Sequence, residues 1–203
     1  PQASFIIDDD CENQTIQVVN TSSISLGTIQ TYQWIFENNG TSTLQTPPLL
    51  VYNTAGQYNV ELALTSDLGC MASSTQSVTI HPTPEAIING DPIEDCSPLS
   101  VTLSHVQDPN IDQCFWDFGD GTQLNSCGIA RHTYQPGIYD VSLTVTSEFG
   151  CENTTTRIEF VSVTETPIAA FGFSPQTISV KDSEVSFTNQ STGSTDFVWY
   201  FGS

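Results

Sequence analysis

Two long stretches of the chain alternate apolar and polar residues. Tyr58, Val60, Leu62 and Leu64 interleave with Asn59, Glu61, Ala63 and Thr65. Tyr139, Val141, Leu143 and Val145 interleave with Asp140, Ser142, Thr144 and Thr146. Successive side chains on a strand point to opposite faces, so each stretch predicts a strand that buries one row and wets the other. Shorter rows occur at Ile16/Val18, Val101/Leu103 and Val185/Phe187. Three more share parity around tryptophans: Tyr32-Trp34-Phe36, Cys114-Trp116-Phe118 and Phe197-Trp199-Phe201. No stretch sustains a helical period, and the abundant Thr, Ser and Val favour strands over helices. The expected fold class is all-β.

These rows recur. Trp34, Trp116 and Trp199 are spaced by 82 and 83 residues. Gly56-Gln57-Tyr58 matches Gly137-Ile138-Tyr139, and Gly69-Cys70 matches Gly150-Cys151, both at an offset of 81. A period of about 80 residues is too long for a solenoid turn and suits a compact domain. Roughly seven short strands per 80 residues with a core tryptophan on the third is the pattern of a β-sandwich. Trp34, Trp116 and Trp199 are therefore expected in the core, with Tyr58 and Tyr139 opening the long strands.

In the second repeat, Trp116-Asp117-Phe118-Gly119-Asp120-Gly121 is followed by His132-Thr133-Tyr134, Pro136-Gly137 and Tyr139. This series closely resembles the PKD domain, an immunoglobulin-like sandwich. The first repeat is similar but degenerate, with Glu37-Asn38-Asn39-Gly40 at the turn and Val51-Tyr52-Asn53 in place of the His-Thr-Tyr strand. The third starts well at Ala169-Ala170-Phe171 and reaches Phe197-Val198-Trp199, then stops at Ser203 before its later strands, so the natural protein is expected to continue. The resemblance implies tandem PKD sandwiches: residues 1–81 a degenerate PKD-like domain, 82–164 a PKD domain, and 165–203 the N-terminal part of a third, truncated one. Stiff linkers are expected at His81-Pro82-Thr83-Pro84 and Glu165-Thr166-Pro167, because proline restricts both itself and its predecessor.

Composition narrows the function. Three Lys+Arg (Arg131, Arg157 and Lys181) stand against 23 Asp+Glu, giving a formal net charge of −20. Replacing the counterions of a phosphate backbone needs clustered cations, so nucleic acid is excluded and anionic membrane surfaces are disfavoured. No apolar run approaches the about 18 residues of a membrane span, so no membrane insertion is expected in this segment. Such acidity suits a soluble extracellular protein.

Six cysteines without recurring histidine partners read as disulfides, hence an oxidising compartment. Asp120-Gly121 is a two-residue hairpin signal, and folding the chain about it sets Cys114 opposite Cys127 in the row of Trp116. A bond there closes a short loop and contributes about 3 kcal/mol. The other four fall two per repeat, which favours Cys11–Cys70 and Cys96–Cys151. That pairing has a geometric difficulty. The start of the second strand and the loop after the sixth lie at opposite ends of a sandwich, yet bonded Cα atoms must come within about 7 Å. A shifted or split first strand would relieve it. A metal site is the alternative reading of these cysteines.

His81, His105 and His132 form no Ser-His-Asp or Cys-His arrangement, and neither HExxH nor a phosphate-binding loop occurs. Asp117 and Asp120 read as turn residues bonded to nearby backbone N–H groups. No catalytic residue is identified and no enzyme is expected. Asp8, Asp9 and Asp10 with Glu12, and Asp91 and Glu94 with Asp95, precede the first cysteine of each repeat. Their hard oxygens make calcium the one candidate cofactor, against the simpler reading of a solvated acidic turn. Phe115 and Phe149 are the best candidates for exposed rings that would hold a glycan.

Acidic, Thr/Ser-rich PKD arrays with Gly-Cys after the long strand resemble the very large surface adhesins of Bacteroidota, including those of gliding motility and type IX secretion. The resemblance implies a non-catalytic stalk or filament segment at the cell surface. Its partners would be neighbouring repeats of the same chain and surface polysaccharide or other cell-surface proteins. PKD modules also accompany secreted polysaccharide- and protein-degrading enzymes as spacers or weak glycan binders, which is the alternative.

Overall fold

The computed structural model describes residues 1–177 and 184–202; Lys181 lies outside them. Every regular element among the described residues is a strand. The chain divides into two compact units, residues 1–87 with 106–115 and 144–154, and residues 88–105 with 116–143 and 155–203.

In the first repeat the strands are β1 (Phe5–Ile6), β2 (Asp10–Cys11), β3 (Thr15–Ile16), β4 (Val19–Asn20), β5 (Ile29–Phe36), β6 (Gly40–Ser42), β7 (Leu50–Val51), β8 (Gly56–Ser66) and β9 (Met71–His81). One layer is a five-stranded sheet in the order β2-β9-β8-β5-β6; the pairs β3-β7 and β1-β4 are separate small sheets. The alternation explains the packing. Tyr32, Trp34 and Phe36 of β5 lie opposite Leu64, Leu62 and Val60 of β8, so two apolar rows of one parity share a face. Phe5, Ile16 and Leu50 from the small sheets complete that core. The N-terminal part of the repeat is split into short pieces, and β2 pairs parallel with β9 to place Cys11 opposite His81.

The counterpart of the His132-Thr133-Tyr134 strand is Leu50-Val51-Tyr52, one residue earlier than Val51-Tyr52-Asn53. Leu50 lies opposite Ile16, as His132 lies opposite Val101. Tyr52 packs on Tyr58 at 4.2 Å, as Tyr134 packs on Tyr139 at 4.8 Å. A slip of one residue would turn both Leu50 and Tyr52 to the wet face.

The second repeat contains β10 (Ile88–Asp91), β11 (Glu94–Cys96), β12 (Leu99–His105), β13 (Ile111–Asp117), β14 (Gln123–Asn125), β15 (Ala130–Tyr134), β16 (Gly137–Ser147) and β17 (Glu152–Thr164). Its sheets run β11-β17-β16-β13-β14 and β10-β12-β15, the first repeating the order of the first repeat's large sheet. Trp116, Val141, Leu143 and Val145 are fully buried.

The third repeat shows β18 (Phe171–Ser174) paired with β19 (Ser186–Asn189). Its rings keep the first repeat's geometry: Phe171 meets Trp199 edge-on at 5.7 Å, as Phe5 meets Trp34 at 5.3 Å. Trp199 is nonetheless 36% exposed, which corrects its expected place in a closed core. Trp34 lies beside Leu62 of the long strand β8, whereas the described strands of the third repeat are the short β18 and β19.

Candidate functional site

The turn after β13 holds the densest polar arrangement. Asp117 Oδ1 accepts the Gly119 N–H at 2.9 Å, and its Oδ2 accepts from Gln123 Nε2 at 3.0 Å. Asp120 Oδ1 accepts from the Thr122 N–H at 3.0 Å and from its hydroxyl at 2.6 Å. Asp120 Oδ2 lies 2.6 Å from His132 Nε2. The backbone bond from Gly119 and the side chain of Gln123 hold the Asp117 carboxyl below the usual range. For Asp120 burial pushes upward, but the Thr122 and His132 hydrogen bonds outweigh it and the net shift is downward.

An Asp, a His and a hydroxyl suggest a catalytic relay, and the geometry argues against one. Thr122 Oγ1 and Asp120 Oδ2 both address the same nitrogen, His132 Nε2. A relay needs the acid on one ring nitrogen and the nucleophile on the other. The His132 ring also stacks on Phe118 at 4.4 Å with an interplanar angle of 3° and meets Tyr134 edge-on. The group ties the turn to β15. Burial, with help from the Asp120 charge, pushes the phenol of Tyr134 up. Tyr58 and Tyr139 are half-buried, and their hydroxyls donate to the Thr54 and Gln135 carbonyls, each four residues upstream. This is the tyrosine corner of immunoglobulin-like sandwiches, a contact added to the expected place of both residues at the start of the long strands. The indoles of Trp34 and Trp116 donate to the Leu44 and Ser126 carbonyls.

The cysteines depart from expectation. Cys11 is bonded to Cys151, with Cα atoms 5.6 Å apart and a sequence separation of 140. Cys70 and Cys96 are free and exposed, so the bonds Cys11–Cys70 and Cys96–Cys151 are not formed. The reason is the end-of-sandwich geometry. Parallel pairing puts Cys11 beside His81, where the chain leaves the first repeat, whereas Cys70 follows the hairpin turn at the far end of β8. Cys151 occupies the corresponding hairpin of the second repeat and reaches Cys11 within the first compact unit. Cys114 and Cys127 are both disulfide-bonded.

Other contacts close this junction. His81 and Phe149 stack with centroids 3.8 Å apart. Asn153 Nδ2 donates to the Pro84 carbonyl at 2.9 Å. Glu12 accepts from the N–H groups of Ala55 and Thr83. One face of the Phe149 ring is thus occupied by His81, and the residue is 53% exposed. Phe115 is 38% exposed.

The acidic clusters are engaged with backbone. Asp9 accepts from the Thr79 N–H, and Asp10 and Asp95 from the N–H of the cysteine that follows each. Asp8, Asp91 and Glu94 are exposed. Among the described residues, the one His/Cys/acid group whose ligand atoms converge is His105 with Cys114 and Cys127. Both of its sulfurs are in disulfide linkage and so are not thiolate ligands. No helix among the described residues is long and apolar enough to cross a membrane.

A family model for the PKD domain matches residues 1–81 and 80–162. The chain is 38% identical over 76 residues to the pre-pro-metalloprotease PrtV of Vibrio cholerae serotype O1 (strain M66-2), a match covering 37% of this chain and 8% of that protein. The crystal structure of the PKD1 domain of Vibrio cholerae PrtV is similar at 36% identity, covering 39% of this chain and 95% of that one, with a TM-score of 0.35. Fibronectin(III)-like modules of Clostridium thermocellum CbhA align at 11% identity over 79% of this chain and 95% of theirs, with a TM-score of 0.41. With both repeats matched and the tryptophan, turn and tyrosine-corner residues in place, the chain belongs to the PKD domain family.

Proposed function

We propose that this chain is a non-catalytic, extracellular, mechanical spacer: a segment of tandem PKD domains in a large repetitive cell-surface adhesin of the gliding or surface-attachment type. The observation that carries this reading is the Cys11–Cys151 bond, which ties a residue of the first repeat to a residue of the second. A bond that bypasses the intervening chain caps how far the pulled segment extends. The excess of acidic over basic residues and the disulfides support an extracellular setting. Neighbouring repeats are the partners the reading requires; surface polysaccharide or other cell-surface proteins are further candidates.

The test is single-molecule stretching of the chain by its ends, oxidised and reduced. The bond withholds 140 residues, so reduction should add up to roughly 470 Å of contour length. Equal extension in both states would remove the mechanical reading. The match to the PKD1 domain of the metalloprotease PrtV favours a second reading, a spacer beside a catalytic domain. The complete natural sequence separates the two: many further repeats support the adhesin, and one hydrolase domain supports the accessory spacer.

A further inference from the structure

Each of the two PKD repeats carries one edge cysteine and one hairpin cysteine, and the four environments match in pairs. Cys11 and Cys96 are the edge pair. Both end a short strand that runs parallel to the last strand of its repeat, Cys11 opposite His81 and Cys96 opposite Thr164. Both backbone N–H groups donate to the preceding aspartate, at 2.8 Å to Asp10 and 2.7 Å to Asp95. The next N–H returns to the same strand in each, Glu12 to the His81 carbonyl and Ser97 to the Thr164 carbonyl.

Cys70 and Cys151 are the hairpin pair. Ser66 and Ser147 donate to the carbonyls of Cys70 and Cys151, both at 2.9 Å. Gly69 and Gly150 take φ 77° and 82° and return to the Ser66 and Ser147 carbonyls, both at 2.9 Å. The N–H groups of Cys70 and Cys151 meet the hydroxyls of Ser66 and Ser147, both at 3.1 Å. One edge cysteine and one hairpin cysteine, Cys11 and Cys151, are bonded to each other. The remaining edge cysteine, Cys96, and hairpin cysteine, Cys70, are free and exposed. Cys151 is 1% exposed, and its neighbour Phe149 is stacked on His81. The matching neighbour of Cys70, Leu68, is 73% exposed.

We propose that Cys96 and Cys70 are complementary half-sites of one inter-repeat disulfide, already made once in this chain by Cys11 and Cys151. Cys96 takes the hairpin cysteine of another repeat, and Cys70 takes the edge cysteine of another. Between two copies of this chain they take each other, head to tail. The bond needs an oxidant, which is a small or protein disulfide. The Cys96 thiolate attacks that disulfide, forms a mixed disulfide and releases one thiol. The incoming Cys70 thiolate attacks the Cys96 sulfur and releases the second thiol. Two cysteine thiols are oxidised, one disulfide is reduced to two thiols, and both protons leave on them. This deepens the spacer reading and rests on it for the setting, but its test reads linkage, so either can fail alone.

The experiment incubates the full chain with glutathione disulfide, leaving the existing bonds intact, and follows covalent oligomers on non-reducing gels with peptide mapping. A ladder linked through Cys70–Cys96 is expected. Mixing Cys70→Ser with Cys96→Ser chains should give a dimer and nothing larger, formed on the order of tenfold faster than dimers of either variant alone, because docking raises the effective concentration of the matched pair. Buried-tryptophan fluorescence checks that both variants fold. Three outcomes overturn the proposal: homotypic dimers formed as fast as mixed ones, a Cys70–Cys96 bond within one chain, or monomers carrying only glutathione adducts.

Discussion

Cys11 and Cys151 are bonded across a sequence separation of 140, while Cys70, which shares its repeat with Cys11, remains a free thiol. The long loop sets the expected energetics. Cys11→Ser or Cys151→Ser should lower stability by about 2–5 kcal/mol, chiefly by freeing the unfolded chain. Cys70→Ser and Cys96→Ser, at exposed sites in the monomer, should stay within about 0.5 kcal/mol. Urea unfolding of the four variants measures this, and reduction should erase the difference for Cys11 and Cys151.

Two glycines in one turn separate steric clash from backbone strain. A Cβ on Gly119 would lie 2.1 Å from the Asp140 carbonyl oxygen, and the residue sits at φ +79°; Gly121 sits at φ +89° with nothing within 4 Å. Gly121→Ala should cost about 1 kcal/mol, the left-handed backbone alone. Gly119→Ala should cost more, about 3 kcal/mol or above, because backbone must move. Thermal melts of the two variants provide the comparison.

Acid should weaken the second repeat through Asp117 and Asp120. Both folded carboxyls titrate below their ordinary value, so the unfolded chain binds protons first. Their contribution is complete above about pH 4, the unfolded value, and is lost as the pH falls through the lower folded values. Asp120→Asn should flatten the acid limb of a stability-versus-pH curve measured from pH 7 to pH 2. An unchanged limb would show that the hydrogen-bonded turn does not stabilise the ionised form.

The tyrosine corners offer a test of equivalence between the repeats. Tyr58→Phe removes the hydroxyl bond to the Thr54 carbonyl, Tyr139→Phe removes a hydroxyl shared between the Gln135 and Pro136 carbonyls, and both keep the ring stacking. Each should cost about 1 kcal/mol. Chemical denaturation of both variants checks this, and a much larger loss in one would show that its corner bears additional contacts.

The sequence alone determined the strands, because alternation reports directly on which face of a strand is dry. The rows Val60-Leu62-Leu64 and Val141-Leu143-Val145 are buried, as their period requires, and the tryptophan spacing locates matching positions in each repeat. The acidic turn was legible too, since aspartates in a Gly-rich turn bond neighbours within a few residues. Such contacts are local, so the sequence contains both partners side by side.

What tertiary structure decided is which distant groups meet. Counting two cysteines per repeat suggested closure within each repeat, but sandwich geometry separates Cys11 from Cys70. Only the parallel edge pairing of β2 with β9, a contact across about 70 residues, moves Cys11 to the exit beside His81. The stack of His81 on Phe149 and the bond from Asn153 to Pro84 arise in the same way. Trp199 makes the same point in reverse: the row Phe197-Trp199-Phe201 has the parity of Tyr32-Trp34-Phe36 and similar ring geometry, yet Trp199 is 36% exposed. Burial belongs to the strand that covers a residue, and a local motif does not supply that strand.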